Sequence, residues 1–328
     1  MHIAVTGGTG YLGAHTVRAL LEAGHHVKLL VAPDDRSIVI DRFRALGPVT
    51  VLVGDVRAAS TMQELLVGAD AVLHAAGIVG TDERRARLMW DVNAYATEKI
   101  VTRAVDLGLD PVVLVSSYSA LFPPPDGVIS PDSPTACGRS AYAKTKGYAD
   151  RVARRLQAAG APVVVTYPSS VVGPAFGTAP GITERGWAPI LRWTVAPKVR
   201  GGMQMIDVRD VADVHLRVMQ AGRGPRRYVC GGKLLTFDEM IDALEEGSGR
   251  RVRRVPLSPK MLRAMGRLAD VLGRFVPVGD GLSYEAAILL TAAIPTDDST
   301  TLRDLGITWR CPKAAIMESL RTADSRRQ

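Results

Sequence analysis

The sequence predicts an α/β protein: a doubly wound parallel sheet with a smaller, mostly helical C-terminal lobe. In the first half of the chain, short apolar runs alternate with stretches whose apolar residues recur at helical spacing. This alternation is typical of a parallel sheet covered by helices on both faces. A glycine-rich turn links the first apolar run to the first helical stretch, and helical patterns dominate from Thr236 onward. These three observations together predict the fold class.

Six strands are predicted in the first half: residues 2–5, 27–31, 49–53, 71–74, 112–116 and 163–166. After Pro168 the pattern predicts a long, irregular connection to about residue 197, of the kind that often shapes a binding site. The alternation of strands and helices then returns, with a strand at 205–208, a helix at 210–220 and a strand at 227–230. We therefore predict a sheet domain of residues 1–170 plus about 206–231, and a lobe of residues 171–205 and 232–328.

Composition argues against several classes of protein. The chain has 328 residues, of which 47% are hydrophobic and 23% charged, as in ordinary soluble proteins. A net charge of +8 from scattered arginines, with only 5% aromatic residues, does not favour nucleic acid as a partner. Three separated cysteines indicate reduced thiols in the cytoplasm, and six histidines without ligand spacing predict no metal site. No apolar stretch approaches the ~20 residues of a transmembrane helix.

The glycine-rich turn has the spacing of a phosphate-binding loop. Gly7, Gly10 and Gly13 form a GxxGxxG pattern between the first predicted strand and the first predicted helix. Glycines there allow a tight turn, a close approach of backbone to a pyrophosphate, and close packing of helix on strand. The start of the helix offers N–H groups and partial positive charge to an anion. The position favours a dinucleotide-binding, Rossmann-type domain, with Tyr11 and Leu12 in the binding loop, over a plain glycine-rich turn.

Further positions fit the same pocket. Asp55 and Val56 follow the third predicted strand, where a carboxylate can accept from an adenine amino group; a simple turn aspartate is the alternative. Asn93 lies inside a predicted helix, where it serves the cofactor site or bridges strand and helix backbone. Small residues follow the fourth predicted strand, where a cofactor would pass close to the backbone: Ala75, Ala76 and Gly77.

The end of the second predicted strand bears on the choice between NAD and NADP. An acidic residue there accepts from the ribose 2′-hydroxyl of NAD, whereas arginine favours the 2′-phosphate of NADP. This chain has Asp34, Asp35 and Arg36 at that point, so both cofactors stay open. Arg36 tilts the prediction slightly to NADP.

A second group of residues handles protons. Tyr142 and Lys146 are four residues apart, so a helix places both side chains on one face. A free tyrosine has a pKa near ~10, and an adjacent ammonium lowers that pKa towards the working range. Ser117, directly after the fifth predicted strand, would hold a substrate oxygen near Tyr142; Ser116 and Ser119 are the alternatives. The combination predicts nicotinamide-dependent chemistry at a carbon–oxygen centre.

Taken in order, these motifs resemble the extended short-chain dehydrogenase/reductase family over nearly the whole chain. Residues 6–13 match its TGxxGxxG motif, and residues 142–146 match its YxxxK motif. The resemblance implies that Ser117, Tyr142 and Lys146 are catalytic. It also implies that Asn93 supports the lysine and the cofactor.

Later motifs extend the likeness. Pro168 and residues 172–174 resemble the family's loop that packs on nicotinamide, although Tyr167 stands where the family usually has arginine. The second strand and residues 306–309 resemble the dihydroflavonol-reductase and 3β-hydroxysteroid-dehydrogenase branch, and residues 206–212 resemble another late motif of the family. Ala32 departs from that branch, which often has an NADP-binding arginine there. The branch implies an oxidoreductase acting on a secondary alcohol or ketone of a sterol-like or flavonoid-like, hydrophobic substrate.

Two other functions would use the same features. A nucleotide-sugar epimerase or dehydratase shares the catalytic residues but retains its NAD. Basic side chains of the lobe would hold the diphosphate of such a substrate: Arg185, Arg192, Lys198 and Arg200. The other is a dinucleotide sensor without chemistry, against which the complete set of catalytic residues argues.

Two surfaces are candidates for contacts with larger partners. Family members often dimerise through two long helices, so residues 84–107 with 142–160 form the candidate interface of a homodimer. An apolar helical stripe lies further on and has three interpretations: a helix packed on the core of the lobe, a wall of an apolar pocket, or a face on a membrane. The stripe consists of Met261, Leu262, Met265, Leu268, Val271, Leu272 and Phe275.

Overall fold

The first half of the chain forms the parallel sheet that the sequence predicts. The computed structural model describes residues 1–80, 82–272 and 283–325. Its strands are β1 (His2–Thr6), β2 (His26–Val31), β3 (Val49–Val53), β4 (Ala71–His74), β5 (Val112–Val115), β6 (Val163–Pro168), β7 (Ser170–Val172), β8 (Val195–Lys198), β9 (Gly202–Asp207), β10 (Arg226–Cys230), β11 (Lys233–Thr236) and β12 (Arg253–Pro256). The main sheet has the order β10-β6-β5-β4-β1-β2-β3, with every neighbouring pair parallel. All six strands predicted in the first half are confirmed to within two residues.

Helices alternate with these strands. In chain order they are α1 (Tyr11–Glu22), α2 (Val39–Arg44), α3 (Ala59–Leu66), α4 (Ala86–Met89), α5 (Thr97–Asp106), α6 (Ala141–Ala158), α7 (Ile182–Trp193), α8 (Val208–Arg217), α9 (Phe237–Ser248), α10 (Pro259–Leu272), α11 (Tyr284–Ala292), α12 (Ser299–Leu305) and α13 (Pro312–Ser325). A π-helical turn, Trp90–Ala96, joins α4 to α5.

Both faces of the main sheet are covered, as expected for a doubly wound fold. On one face Ile3 of β1 belongs to an apolar cluster with Leu20 of α1. On the other face Ala4 belongs to a cluster with Ile100 of α5 and Ala153 of α6. Because neighbouring residues of a strand point to opposite faces, one apolar strand supplies both clusters.

The order of the strands reverses between β1 and β4. β2 and β3 lie on one side of β1, whereas β4, β5 and β6 lie on the other. Open α/β sheets bind ligands in the crevice at the carboxyl ends of the strands at such a switch point. The residues that end β1, β4 and β5 therefore converge on the candidate site.

The other strands form a three-stranded sheet, β11-β9-β7, and a two-stranded sheet, β12-β8. They share a third apolar cluster with helices of the lobe, including Trp187 of α7, Leu244 of α9 and Ile316 of α13. The prediction of an irregular connection up to residue 197 was wrong in this part, because residues 182–193 form α7. Trp187, Ile190 and Leu191 recur at helical spacing and pack on the lobe cluster, so the helix forms although it contains Pro189.

The C-terminal motif at residues 306–309 has a structural role in the described chain. The Trp309 indole N–H donates to the Asp298 carboxylate at 2.7 Å. The same carboxylate accepts from the backbone N–H groups of Gly231 and Gly232, which directly follow β10. The motif thus ties the end of the chain to the edge of the main sheet.

Candidate active site

The glycine loop after β1 leaves no room for side chains at two of its positions. A Cβ atom on Gly13 would lie 2.0 Å from the carbonyl oxygen of Gly7, and one on Gly7 would lie 2.5 Å from the backbone nitrogen of Ala76. Gly7 also has a φ of +72°, which favours glycine. Glycine at these positions lets the loop pack closely against α1 and against the segment after β4.

The start of α1 is open to an anion. Its N-cap is Gly10, which has no side chain to bond the first N–H groups, and its first turn holds no acidic residue. The orphan N–H groups and the positive end of the helix dipole suit a pyrophosphate. Of the other predicted loop residues, Tyr11 donates its hydroxyl to the Gly173 carbonyl at 2.7 Å, and Leu12 packs on the core. The start of α1 therefore has the features that suit an anion, and the anion site itself stays a prediction. Tyr11 connects this end of α1 to the loop after β7.

Acidic groups follow β2 and β3. The Thr9 hydroxyl, in the glycine loop, donates to Asp35 at 2.5 Å, and the Ser37 N–H donates to the other oxygen of that carboxylate. Asp55, after β3, pairs with Arg57 at 2.6 Å, and this guanidinium lowers the pKa of the carboxyl group. Of the two carboxylates, Asp35 is therefore the one that is hydrogen-bonded to the glycine loop.

Small residues follow β4 as predicted, and Asn93 packs against them. A Cβ atom on Gly77 would lie 3.3 Å from the Asn93 side-chain oxygen. Asn93 accepts from the Ile78 N–H at 2.7 Å and donates to the Ile78 carbonyl at 2.9 Å and to the Thr145 hydroxyl at 3.3 Å. It therefore bridges the loop after β4 to α6. The sequence did not predict the π-helical turn that carries it, a feature often found at functional sites.

Tyr142 lies in the first turn of α6, and its hydroxyl meets the strand-end serines. Burial raises the pKa of Tyr142, and the nearby hydroxyl groups of Ser117 and Ser119 oppose the rise. The hydroxyl oxygen of Ser116, by contrast, is buried without a partner in the described structure. The geometry therefore favours Ser117 over Ser116 and adds Ser119 to the site.

The hydroxyl group of Ser117 is oriented by its neighbours. Its oxygen accepts from the Ser119 N–H at 3.2 Å and from the Ser119 hydroxyl at 3.0 Å. A serine hydroxyl has two acceptor lone pairs and one donor proton. With both lone pairs engaged, Ser117 is left to donate, which matches its pKa-lowering effect on Tyr142.

Lys146 lies one turn further along α6 and is buried. Its ammonium donates to the Val115 carbonyl at 3.1 Å and lies 6.0 Å from the centre of the Tyr142 ring. Burial lowers the pKa of Lys146 to about 8. Burial raises the pKa of Tyr142 in this structure, so the lowering of that pKa by the ammonium stays a prediction.

Two carboxylates that the sequence did not indicate cap the start of α6. Glu83 accepts from the Ala141 N–H at 2.9 Å, and Glu285 of α11 accepts from the Ser140 N–H at 2.5 Å. Both N–H groups lie within two residues of Tyr142. The sequence separations are 58 and 145 residues, so no local pattern could reveal these contacts.

Tyr167 and Pro168 end β6, and the Tyr167 side chain contacts α6. Its hydroxyl donates to Asp150 at 2.5 Å, and Asp150 also pairs with Arg154 at 2.8 Å. Tyr167 and Asp150 are fully buried. The Tyr167 hydroxyl therefore belongs to a structural network behind α6.

Comparison with known proteins identifies the family. The model of the NAD-dependent epimerase/dehydratase family matches residues 3–231. The chain belongs to this family.

Full-length relatives agree with this assignment. The chain is 26% identical to sterol demethylase protein B of Methylococcus capsulatus, over 98% of this chain and 97% of that protein. It is 28% identical to a putative dihydroflavonol 4-reductase of Synechocystis, over 97% of this chain and 92% of that protein. A structure of UDP-glucose 4-epimerase from Stenotrophomonas maltophila, with NAD bound, matches with a TM-score of 0.77 at 20% identity and covers 100% of both chains.

Membership of the epimerase/dehydratase family confirms the resemblance predicted from the motifs and makes a nicotinamide dinucleotide the expected cofactor. The described residues fit that cofactor. The uncapped start of α1 suits its pyrophosphate, and the glycines allow the tight turn that leads into α1.

Proposed function

We propose that the protein is a nicotinamide-dependent oxidoreductase acting on a secondary alcohol or ketone of a hydrophobic, sterol-like or flavonoid-like substrate. One observation carries the proposal: the half-buried Tyr142 lies near the hydroxyl groups of Ser117 and Ser119, with Lys146 one turn away on α6. The names of two full-length relatives, a sterol demethylase protein and a putative dihydroflavonol reductase, support the substrate class.

Each residue of the site has a separate task. Bound nicotinamide would supply or accept the hydride. Ser117 donates a hydrogen bond to the reacting oxygen, since its lone pairs are already engaged by Ser119. Tyr142 gives a proton to that oxygen in reduction and takes it in oxidation. Lys146 places a cation beside the phenol, where it stabilises the charge that develops when the proton leaves.

Replacing Tyr142 tests this proposal. Tyr142→Phe should lower turnover of a panel of sterols and flavanonols by about a hundredfold or more, the usual contribution of a positioned acid/base. The dissociation constant for the dinucleotide should stay the same. Tyr148→Phe is the matched control, because Tyr148 lies on the same helix but donates to Glu98. Equal turnover in the two variants would refute the proposed role of Tyr142.

A nucleotide-sugar epimerase or dehydratase is the second candidate, since the fold is shared with the UDP-glucose 4-epimerase. Arg192, Lys198 and Arg200 are exposed on the lobe and would supply cations for a diphosphate. Such an enzyme would retain NAD through purification and gain thermal stability from a UDP-sugar. The oxidoreductase should release its cofactor and gain stability from a sterol or flavonoid.

The cofactor preference that we propose is NAD. Arg36 slightly favours NADP in the sequence, but two observations of the structure and the sequence support NAD. Asp35 is hydrogen-bonded to Thr9 of the phosphate loop, and Ala32 stands where related reductases often have an arginine. A fixed carboxylate at this edge repels a 2′-phosphate. Asp35→Asn should therefore increase the affinity for NADP by about tenfold or more relative to NAD, measured by fluorescence titration. An unchanged ratio of the two affinities would contradict the assignment.

Two contacts with larger partners complete the proposal. A homodimer would form through residues 84–107 and 142–160, where Trp90, Tyr95 and Tyr148 form an aromatic cluster with ring centres 5.8–5.9 Å apart. Sedimentation velocity of wild type and Tyr95→Glu tests it, because Tyr95 is 46% exposed in the single chain. The second contact is a lipid surface.

A further inference from the structure

We propose that α10 docks the protein on an anionic lipid surface through an exposed apolar strip formed by Met261, Met265, Leu268 and Val271. This inference goes beyond the proposed reaction and stands on the structure of the lobe. Among the described residues, no helix is long and apolar enough to cross a membrane.

The apolar stripe of α10 faces solvent rather than the core. The prediction of a helix packed on the lobe is wrong for most of the stripe. Met261, Met265, Leu268 and Val271 are 56%, 46%, 59% and 52% exposed, respectively. Phe275 and the side chain of Leu272 lie outside the described residues.

The opposite side of α10 explains this exposure. Leu262, Gly266 and Ala269 are buried, and they recur at the spacing of one narrow helix face. A Cβ atom on Gly266 would lie 2.6 Å from the Ser283 carbonyl oxygen, so α10 lies directly against the start of α11 there. The helix is thus held on one side by small residues and presents its large apolar residues to solvent.

Positive charge lies beside the strip. Residues 250–272 contain seven arginines and lysines and a single acid, Asp270. One of the seven, Arg254, is paired with carboxylates of α9, so the other six supply the positive charge. Arg263 donates to the Thr291 hydroxyl and Arg267 to the Tyr284 hydroxyl, both at 2.8 Å, so their partners are neutral. Asp270 accepts from the Tyr284 N–H. An apolar face with a cationic edge is complementary to a bilayer that carries anionic headgroups.

The same charge disfavours a second copy of the chain as the occupant. A two-fold contact through the strip would bring Lys260 and Arg267 of two copies together at one interface. Interface cores are depleted in lysine, and like charges placed against each other cost affinity. A lipid surface meets both the apolar strip and the cationic edge.

Docking through α10 would place the membrane one helix away from the catalytic helix. α10 packs on α11, and Glu285 of α11 accepts from the Ser140 N–H at the start of α6. A substrate dissolved in the bilayer would then lie close to the lobe that is proposed to bind it.

Co-sedimentation with vesicles tests the proposal directly. Full-length protein is mixed with phosphatidylcholine vesicles, with or without phosphatidylglycerol, at low and high salt. Wild type should sediment with the anionic vesicles, bind the neutral ones much more weakly, and dissociate as salt rises. Val271→Glu should reduce binding by about tenfold or more, and Lys260→Gln by about fivefold. Val67→Glu is the matched control, because Val67 is 56% exposed in the sheet domain.

Three results would overturn the proposal: wild type that stays in solution with anionic vesicles, equal binding of Val271→Glu and Val67→Glu, or an oligomer that Val271→Glu dissociates. Circular dichroism and dinucleotide titration show that each variant is folded. Turnover of a water-soluble alcohol is measured separately, so that a failure of the proposed reaction leaves the vesicle result unchanged.

Discussion

Two buried histidines should make the stability of the fold depend on pH. His74 lies between the hydroxyls of Thr6 and Thr97, with its ring nitrogens 2.7 and 2.9 Å from their oxygens. His215 lies in the same way between Thr16 and Thr166, at 2.8 and 3.1 Å. Burial lowers the pKa of each from 6.5 to about 3. Both are therefore largely neutral in the folded protein between pH 5 and pH 7.

The sign of the effect follows from proton uptake. Between pH 6.5 and about 3 the unfolded chain binds a proton on each imidazole that the folded protein does not bind. The free energy of unfolding therefore falls as the pH is lowered through this range. From pH 7 to pH 5 each histidine accounts for a loss of about 2 kcal/mol, and the pair for about 4 kcal/mol.

His215→Gln isolates one of the two contributions. The amide retains a donor and an acceptor for Thr16 and Thr166 but does not titrate. Urea unfolding at pH 7 and pH 5 should show a loss of stability about 2 kcal/mol smaller in the variant than in wild type. His2→Gln is the control, because His2 is exposed and meets water in both states. If His215→Gln and wild type lost the same amount of stability between the two pH values, the reasoning on His215 would be refuted.

Two further substitutions test the loop and the C-terminal motif. Gly13→Ala should abolish detectable dinucleotide binding in a fluorescence titration, because its Cβ would lie 2.0 Å from the Gly7 carbonyl oxygen; a dissociation constant equal to that of wild type would contradict the predicted role of the glycine loop. Trp309→Phe removes a 2.7 Å hydrogen bond to the buried Asp298 and should destabilise the protein by about 1–3 kcal/mol in thermal unfolding, with unchanged dinucleotide affinity. A melting temperature equal to that of wild type would show that Asp298 is satisfied without the indole.

The elements predicted best are those whose signal is local. The strands of the main sheet are short apolar runs such as 112–115, bounded by helical stretches, and their period is visible in the sequence. The glycine loop is similarly readable, because steric demands at Gly7 and Gly13 leave only one residue type. For the strands and for Gly13 the residue and its reason lie within a few positions of each other, whereas Gly7 is also constrained by the distant Ala76.

The elements predicted poorly depend on distant partners. α7 forms because Trp187 and Leu191 pack on the apolar cluster of the lobe. The sequence around Pro189 does not indicate this contact. The apolar stripe of α10 has the period of a buried helix. However, the face of α10 that contains Gly266 packs on the start of α11, and Leu268 is exposed to solvent. Amphipathic periodicity shows that a helix has an apolar face; it does not show what that face contacts.

The position of Tyr142 illustrates the same limit at the candidate site. Tyr142 lies in the first turn of α6, where the backbone N–H groups have no partner within the helix. Ser140 caps the helix locally by accepting from the Ala143 N–H at 3.1 Å. Glu83, which lies before α4, accepts from the Ala141 N–H, and Glu285 of α11 accepts from the Ser140 N–H. Because carboxylates also stabilise the positive end of a helix, these contacts fix the turn that carries the phenol. The motif around Tyr142 is therefore readable from the sequence, whereas the placement of its turn depends on distant contacts from Glu83 and Glu285.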